Sequence, residues 1–166
     1  PNDLLVQESI SERYVRRGYA LAGQRDFEGA IELYQLALEI YQQTGNLYEE
    51  GYLHYWTGTA LKELTQYEAA INAFEQSFAV FDTAFSSEPS PSEREIYGKS
   101  LALIGIADIY YDQGDKLNEL LYEEQAINLL RELPPSDFFL IHLSSFAQLL
   151  GQLGRSEESI STYQEA

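Results

Sequence analysis

The chain has 166 residues, 45% of them hydrophobic and 22% charged, a size suited to one compact domain or one short array. Ten basic against 27 acidic side chains leave a formal charge of -17, which repels polyphosphates and draws basic partners, so nucleic acid is not an expected ligand. Cysteine is absent, which removes disulfides, thiolate zinc sites and cysteine nucleophiles. Apolar residues recur at three- and four-residue spacing and sustained alternation is missing, so every element reads as an amphipathic helix. The first two are predicted over 10–23 and 27–43, the next two over 47–64 and 67–85. Ser86-Ser87-Glu88-Pro89-Ser90-Pro91-Ser92 is predicted to be a loop, because two prolines within three residues cannot continue a helix. Helices over 93–112 and 116–132 follow, stopped by Pro134-Pro135, and the last pair covers 137–152 and 156 to the end.

No apolar stretch approaches the roughly 20 residues of a spanning helix, so membrane insertion is not expected. The first residues carry no basic segment followed by an apolar one, which leaves a soluble, cytoplasmic location as the default. Methionine is absent, pointing to a fragment of a longer polypeptide or a processed form.

Self-similarity organises the chain. Asp26-Phe27-Glu28-Gly29-Ala30-Ile31 returns as Gln66-Tyr67-Glu68-Ala69-Ala70-Ile71, a shift of 40 positions shared by Gly18 and Gly58 and by Gly114 and Gly154. Four units result, about 10–46, 47–86, 92–134 and 136–166, with the 86–92 loop between the second and third and the last unit truncated. They are read as a single array over 1–166. Within a unit, small residues (Gly18, Ala30, Gly58, Ala70) let paired helices approach, while Tyr34 and Phe74 fill the space between pairs.

These residues resemble the tetratricopeptide repeat, in a long, roughly 40-residue form. The resemblance rests on Tyr14, Gly18, Asp26-Phe27, Ala30, Tyr34 and Ala37 in the first unit and on His54, Gly58, Tyr67, Ala70, Phe74 and Ser77 in the second. Leu103, Ala107, Tyr110, Gly114-Asp115 and Ala126 carry it in the third, and Leu143, Ala147, Leu150, Gly154, Ser159, Tyr163 and Ala166 in the fourth. It implies an all-α, right-handed α-solenoid of about four helix-turn-helix repeats. The third unit departs: Glu119 and Glu123 stand where Ala30 and Tyr34 do, and an unpaired buried carboxylate would cost several kcal/mol. Its second helix is therefore expected to be rotated or shifted, burying Leu117, Leu120, Leu121 and Ile127 instead.

Catalytic and metal signatures fall away. Gly98-Lys99-Ser100 lacks both the earlier glycine and the preceding strand of a phosphate loop. The oxygen ligands of a calcium loop are missing around Gly114, and His54 and His142 lie in different units without zinc spacing. No nucleophile, base and orienter can be assembled, so an enzyme, a metal or a cofactor is not expected. Arg13, Arg16 and Arg17 share one side of the first helix, where Glu12 to Arg16 is an ordinary ion pair.

The resemblance implies a concave groove lined by the first helix of each pair, with exposed positions at Glu12, Val15, Tyr19, Tyr52, Tyr55, Thr59, Lys62, Glu63, Leu101, Ile104, Asp108, Tyr111, Asp112, Ser144 and Gln148. The strongest binding candidates are Tyr19, Tyr52, Tyr55, Thr59, Lys62, Asp108, Tyr111, Asp112 and Gln148. Tyrosine suits recognition, offering a rigid apolar body with a hydroxyl. The expected ligand is a protein or peptide segment with apolar and basic residues, bound by an adaptor, assembly factor or regulatory domain. A second reading is a sensory domain that binds a peptide or small ligand and controls an attached effector. A terminal-carboxylate clamp is not supported, since Val15, Tyr19, Trp56, Ile104 and Gly105 stand where it needs Lys, Asn or other basic groups. Ile160 and Tyr163 on the last helix, with no capping element after them, offer a route to self-association.

Overall fold

The computed structural model describes residues 2–84 and 92–165. Every regular element among them is an α-helix: α1 (Asn2–Gly23), α2 (Phe27–Thr44), α3 (Leu47–Glu63), α4 (Tyr67–Ala84), α5 (Glu93–Gln113), α6 (Lys116–Leu130), α7 (Asp137–Gln152) and α8 (Ser156–Glu165). The chain divides into two compact units, Pro1–Pro89 and Ser90–Ala166. The boundary lies in the predicted Ser/Pro loop, of which only Ser92 belongs to the described residues; the repeat position at Ala166 also lies outside them. Helix α1 starts eight residues before the predicted position 10. Its early apolar residues Leu5 and Val6 are exposed, so no buried stripe marks that turn in the sequence.

In the first unit α1 packs on α2, α2 on α3 and α3 on α4. Helix α2 buries Ala30, Tyr34, Ala37 and Tyr41, and α4 buries Ala70, Phe74, Ser77 and Phe81, the same stripe 40 positions on. Three of these four rings, Tyr34, Phe74 and Phe81, sit on a glycine of the opposing helix. A Cβ added at Gly18 would lie 2.5 Å from Tyr34 Cε1, at Gly58 2.8 Å from Phe74 Cε1, and at Gly51 2.8 Å from Phe81 Cε2. Ser77 replaces an alanine without leaving a hydroxyl orphaned, donating to the Gly51 carbonyl at 2.8 Å.

The second unit pairs α5 with α6, α6 with α7 and α7 with α8. Ser159, at the repeat position of Ala30, likewise donates to a carbonyl of the first helix of its pair, that of Ala147, at 2.7 Å. Gly98-Lys99-Ser100 lies inside α5, with Lys99 Nζ donating to Glu95 at 3.0 Å and Ser100 donating to the Ile96 carbonyl.

All four interhelix turns within pairs have one construction. The residue before the second helix's first capping position is left-handed: Arg25 (φ 65), Thr65 (φ 57), Gly114 (φ 73) and Gly154 (φ 78). The next residue's N–H then reaches back to a carbonyl of the closing turn, Asp26 to Leu21, Gln66 to Leu61, Asp115 to Tyr110 and Arg155 to Leu150, each at 2.9 Å. Asp26 and Asp115 also accept from the N–H groups of Gly29 and Asn118, capping α2 and α6.

The expected rotation of α6 does not occur. Glu123 is 8% exposed, Ala126 and Leu130 are buried in line with it, and this stripe keeps the register of Tyr34, Ala37 and Tyr41. Leu120 and Ile127 are buried, but Leu117 and Leu121 are 72% and 50% exposed. The register holds because the small Ala126 and the capped turn at Gly114-Asp115 place α6 as Ala37 and Asp26 place α2. The carboxylate faces a histidine across the way, His142 on α7, with Nδ1 3.7 Å from Glu123 Oε1.

Candidate functional site

On the first unit, α1 and α3 present an aromatic pocket of about 540 Å³, lined by Tyr19, Phe27, Tyr34, Trp56 and Thr59 with Glu63 at its edge. Tyr19 meets Tyr34 and Trp56 edge-on, at ring-centroid distances of 5.7 and 5.2 Å, and remains 41% exposed. Burial pushes the Tyr34 phenol up to about 12 and raises Tyr19 as well, with Tyr34 and Glu49 adding to the shift. Both rings are therefore neutral around pH 7.

Beyond this pocket along α1, a polar cleft of about 370 Å³ holds Glu8, Glu12, Glu49 and Arg16. Arg16 pairs with Glu12 at 3.1 Å. Glu49 is raised by burial and then by Glu12. An apolar hollow beside clustered carboxylates suits a segment that alternates apolar and basic side chains.

Of the sequence-predicted binding residues, the first unit brings Tyr19 and Thr59 into the pocket. Tyr52 and Tyr55 turn toward α4, their rings 5.2 Å from Phe81 and 5.7 Å from Phe74. Both are half-buried, as is Lys62. The Thr59 hydroxyl donates to the Tyr55 carbonyl within α3. Val15 and Ile104, expected in the groove, are buried. Val15 nonetheless lines the polar cleft beside Glu12 and Glu49.

On the second unit, Asp108, Tyr111 and Gln148 line one cleft of about 320 Å³ together with Glu119, Glu123 and His142. Asp112 is exposed near the end of α5 and is not part of that lining, while Tyr111 is 69% exposed. Burial raises Glu119, the negative charges of Glu123 and Asp108 add to that, and Lys116 opposes it. Lys116 Nζ itself donates to Gln152 Oε1 at 2.8 Å.

The aromatic pocket and this cleft occupy equivalent places. A shift of 89 positions carries Tyr19 onto Asp108, Tyr34 onto Glu123, Trp56 onto Ser145 and Thr59 onto Gln148. Three rings are thus replaced by two carboxylates and a hydroxyl.

Sequence reasoning missed Trp56, Glu123 and His142 as site residues. Trp56 was findable as the single tryptophan of the chain beside Tyr55. Glu123 stood out as a departure from the repeat, but its partner comes from another helix. Among the described residues no cluster of three His, Asp or Glu side chains is placed to hold a metal ion, and no helix is long and apolar enough to cross a membrane. His54 lies 4.0 Å from Glu50, and burial lowers its pKa.

The tetratricopeptide repeat family model matches residues 11–44. Solved structures with the same fold include BtubC from P. vanneervenii, 18% identical with a TM-score of 0.65, which covers 94% of this chain. This chain spans 58% of the BtubC chain's length. A protein of Podosopora anserina described as a kinesin light chain with nearly identical TPR-like repeats is 18% identical with a TM-score of 0.58, over 99% of this chain and 73% of its own. A point variant of it matches at 17% identity and a TM-score of 0.61, over 98% and 72%. No curated protein sequence matches significantly. The fold is therefore all-α and tetratricopeptide-like, of the solenoid class. Such repeats generally mediate contacts between proteins and are typically not enzymes.

Proposed function

From a tetratricopeptide-like fold, we propose that this chain captures a segment of another protein on the face that α1 and α3 present in the first unit, as an adaptor, assembly factor or regulatory domain. The observation that carries the reading is the open aromatic pocket of Tyr19, Tyr34 and Trp56, flanked by the Glu8, Glu12 and Glu49 carboxylates. Apolar anchors of the partner enter the ring-lined hollow, and lysine or arginine side chains meet the acidic flank. The chain's charge of -17 steers such segments toward it.

The test is a display selection of peptides on the purified chain, followed by calorimetric titration of the selected segments. Selected sequences should combine apolar and basic residues, and affinity should fall as salt rises. Tyr19→Ala should weaken binding by roughly 1–2 kcal/mol, within the usual range for an aromatic interface residue, while helicity is unchanged. Selection of acidic segments, or full affinity in Tyr19→Ala, would refute the assignment. Tyr52→Ala and Tyr55→Ala are poorer probes, because both rings support the α3–α4 packing.

A further inference from the structure

We propose that the cleft between α5, α6 and α7 is a cation pocket that takes the ammonium or guanidinium end of a lysine or arginine side chain. It rests on the protein-binding reading above and is a site of the second unit for a basic residue of a protein segment. The equivalent place in the first unit is the pocket walled by the Tyr19, Tyr34 and Trp56 rings; here Asp108, Glu123 and Ser145 stand at those positions and the hollow, of about 320 Å³, is polar. That is within the ordinary size of small-ligand sites, about 300–1,000 Å³.

Glu123 supplies an observation independent of the clustering of carboxylates. Its side chain is 10% exposed and lines the cleft, yet its Oε2 is buried without a hydrogen-bond donor. His142 Nδ1 is 3.7 Å from Oε1, beyond hydrogen-bond length, and is itself without a hydrogen-bond partner. Lys116, near Glu119, donates to Gln152 on α7. A buried carboxylate is strongly disfavoured until it is paired and hydrogen-bonded. An incoming ammonium or guanidinium pairs with the Glu123 carboxylate from the cleft and is shared with Glu119, while its aliphatic stem lies along Leu149 and Ala107.

The experiment titrates Nα-acetyl-lysine methylamide, its arginine analogue and its neutral norleucine analogue into the whole chain, following the histidine imidazole signals by NMR. The chain has two histidines, and His54 in the other unit is the internal control. His142 should shift saturably with the lysine or arginine compound and not with norleucine, and His54 should stay still. Glu123→Gln should weaken this at least about ten-fold. Glu119→Gln, at a less buried position, should weaken it in the same direction and serves if Glu123→Gln disturbs the fold.

Absence of a saturable His142 shift, an equal response to norleucine, or full affinity in Glu119→Gln would overturn the proposal. If selected peptides still bind through the Tyr19 pocket while these small cations leave His142 unmoved, the cation pocket fails and the protein-binding reading stands. If the cations bind but no peptide does, the reverse holds.

Discussion

Gly18→Ala should destabilise this protein, although replacing a mid-helix glycine by alanine ordinarily stabilises by about 1 kcal/mol. The new methyl would sit 2.5 Å from Tyr34 Cε1 and 2.8 Å from Cδ1. Carbon atoms prefer about 3.5–4 Å, so the ring must retreat by about 1 Å. It has little room, being 1% exposed and held edge-on by Tyr19. Overpacking of this kind costs about 1–3 kcal/mol, and with two ring atoms in conflict the upper part of that range applies. After subtracting the helix-propensity gain, a net loss of about 1–2 kcal/mol remains. Gly23→Ala is the control, because a Cβ there meets nothing within 4 Å; it should stabilise by about 0.5 kcal/mol. Urea unfolding followed by the emission of Trp56, the single tryptophan, reports on the first unit. Pairing Gly18→Ala with Tyr34→Ala should show a coupling of about 1–2 kcal/mol, because the second substitution removes the obstruction. If Gly18→Ala is as stable as the parent, or the coupling is below about 0.5 kcal/mol, the ring-on-glycine account of the helix pair is wrong.

Thr65 holds a left-handed φ of 57 at the turn position that Gly114 and Gly154 fill elsewhere. That conformation costs an L-residue about 1–2 kcal/mol, and after glycine's greater unfolded-state entropy Thr65→Gly should gain about 0.5–1 kcal/mol in thermal or urea unfolding. Ser77→Ala should lose about 1 kcal/mol, since it leaves the buried Gly51 carbonyl without its 2.8 Å donor; a neutral result would show that the carbonyl finds another. Stability should also vary with pH in two opposed ways. Glu49 and Glu119 are raised above 4.5, so the stability they contribute is fully present below that value and is lost as pH rises through their folded pKa values. The melting temperature should accordingly rise as the solution is taken from neutral to mildly acidic pH. Glu165 is lowered by its bonds from Arg131 at 2.7 and 2.8 Å, and its contribution is lost as pH falls through its depressed folded value. At the alkaline end, Tyr34 contributes stability that is intact below 10.0 and lost as pH rises to about 12, which absorbance of the phenolate near 295 nm follows directly.

Local chemistry made much of the fold legible in advance. Helices at 3.6-residue periodicity, Gly-Asp turns and proline stops act within a few residues, so they can be read from the chain alone. The small and large positions themselves were legible for the same reason, since they recur after 40 positions, but that Tyr34 and Phe74, expected between pairs, sit on Gly18 and Gly58 was not. The absence of a strong apolar pattern hid the first turns of α1, whose Leu5 and Val6 face solvent.

What tertiary structure alone decided concerns which side chains meet across helices. Tyr52 and Tyr55 carry the same amphipathic ring as Tyr19, yet Phe81 and Phe74 on α4 draw them toward the helix pair while Tyr19 stays half open. Glu123 was expected to be expelled by the cost of burying its charge; instead the packing of Ala126 and Leu130 holds α6 in register, and His142 from α7 faces the carboxylate. Periodicity specifies the face of a helix because that face is a property of one segment. The polarity of a cleft depends on three segments at once, which is why the same place in the repeat became a ring-lined pocket in one unit and an acidic one in the other.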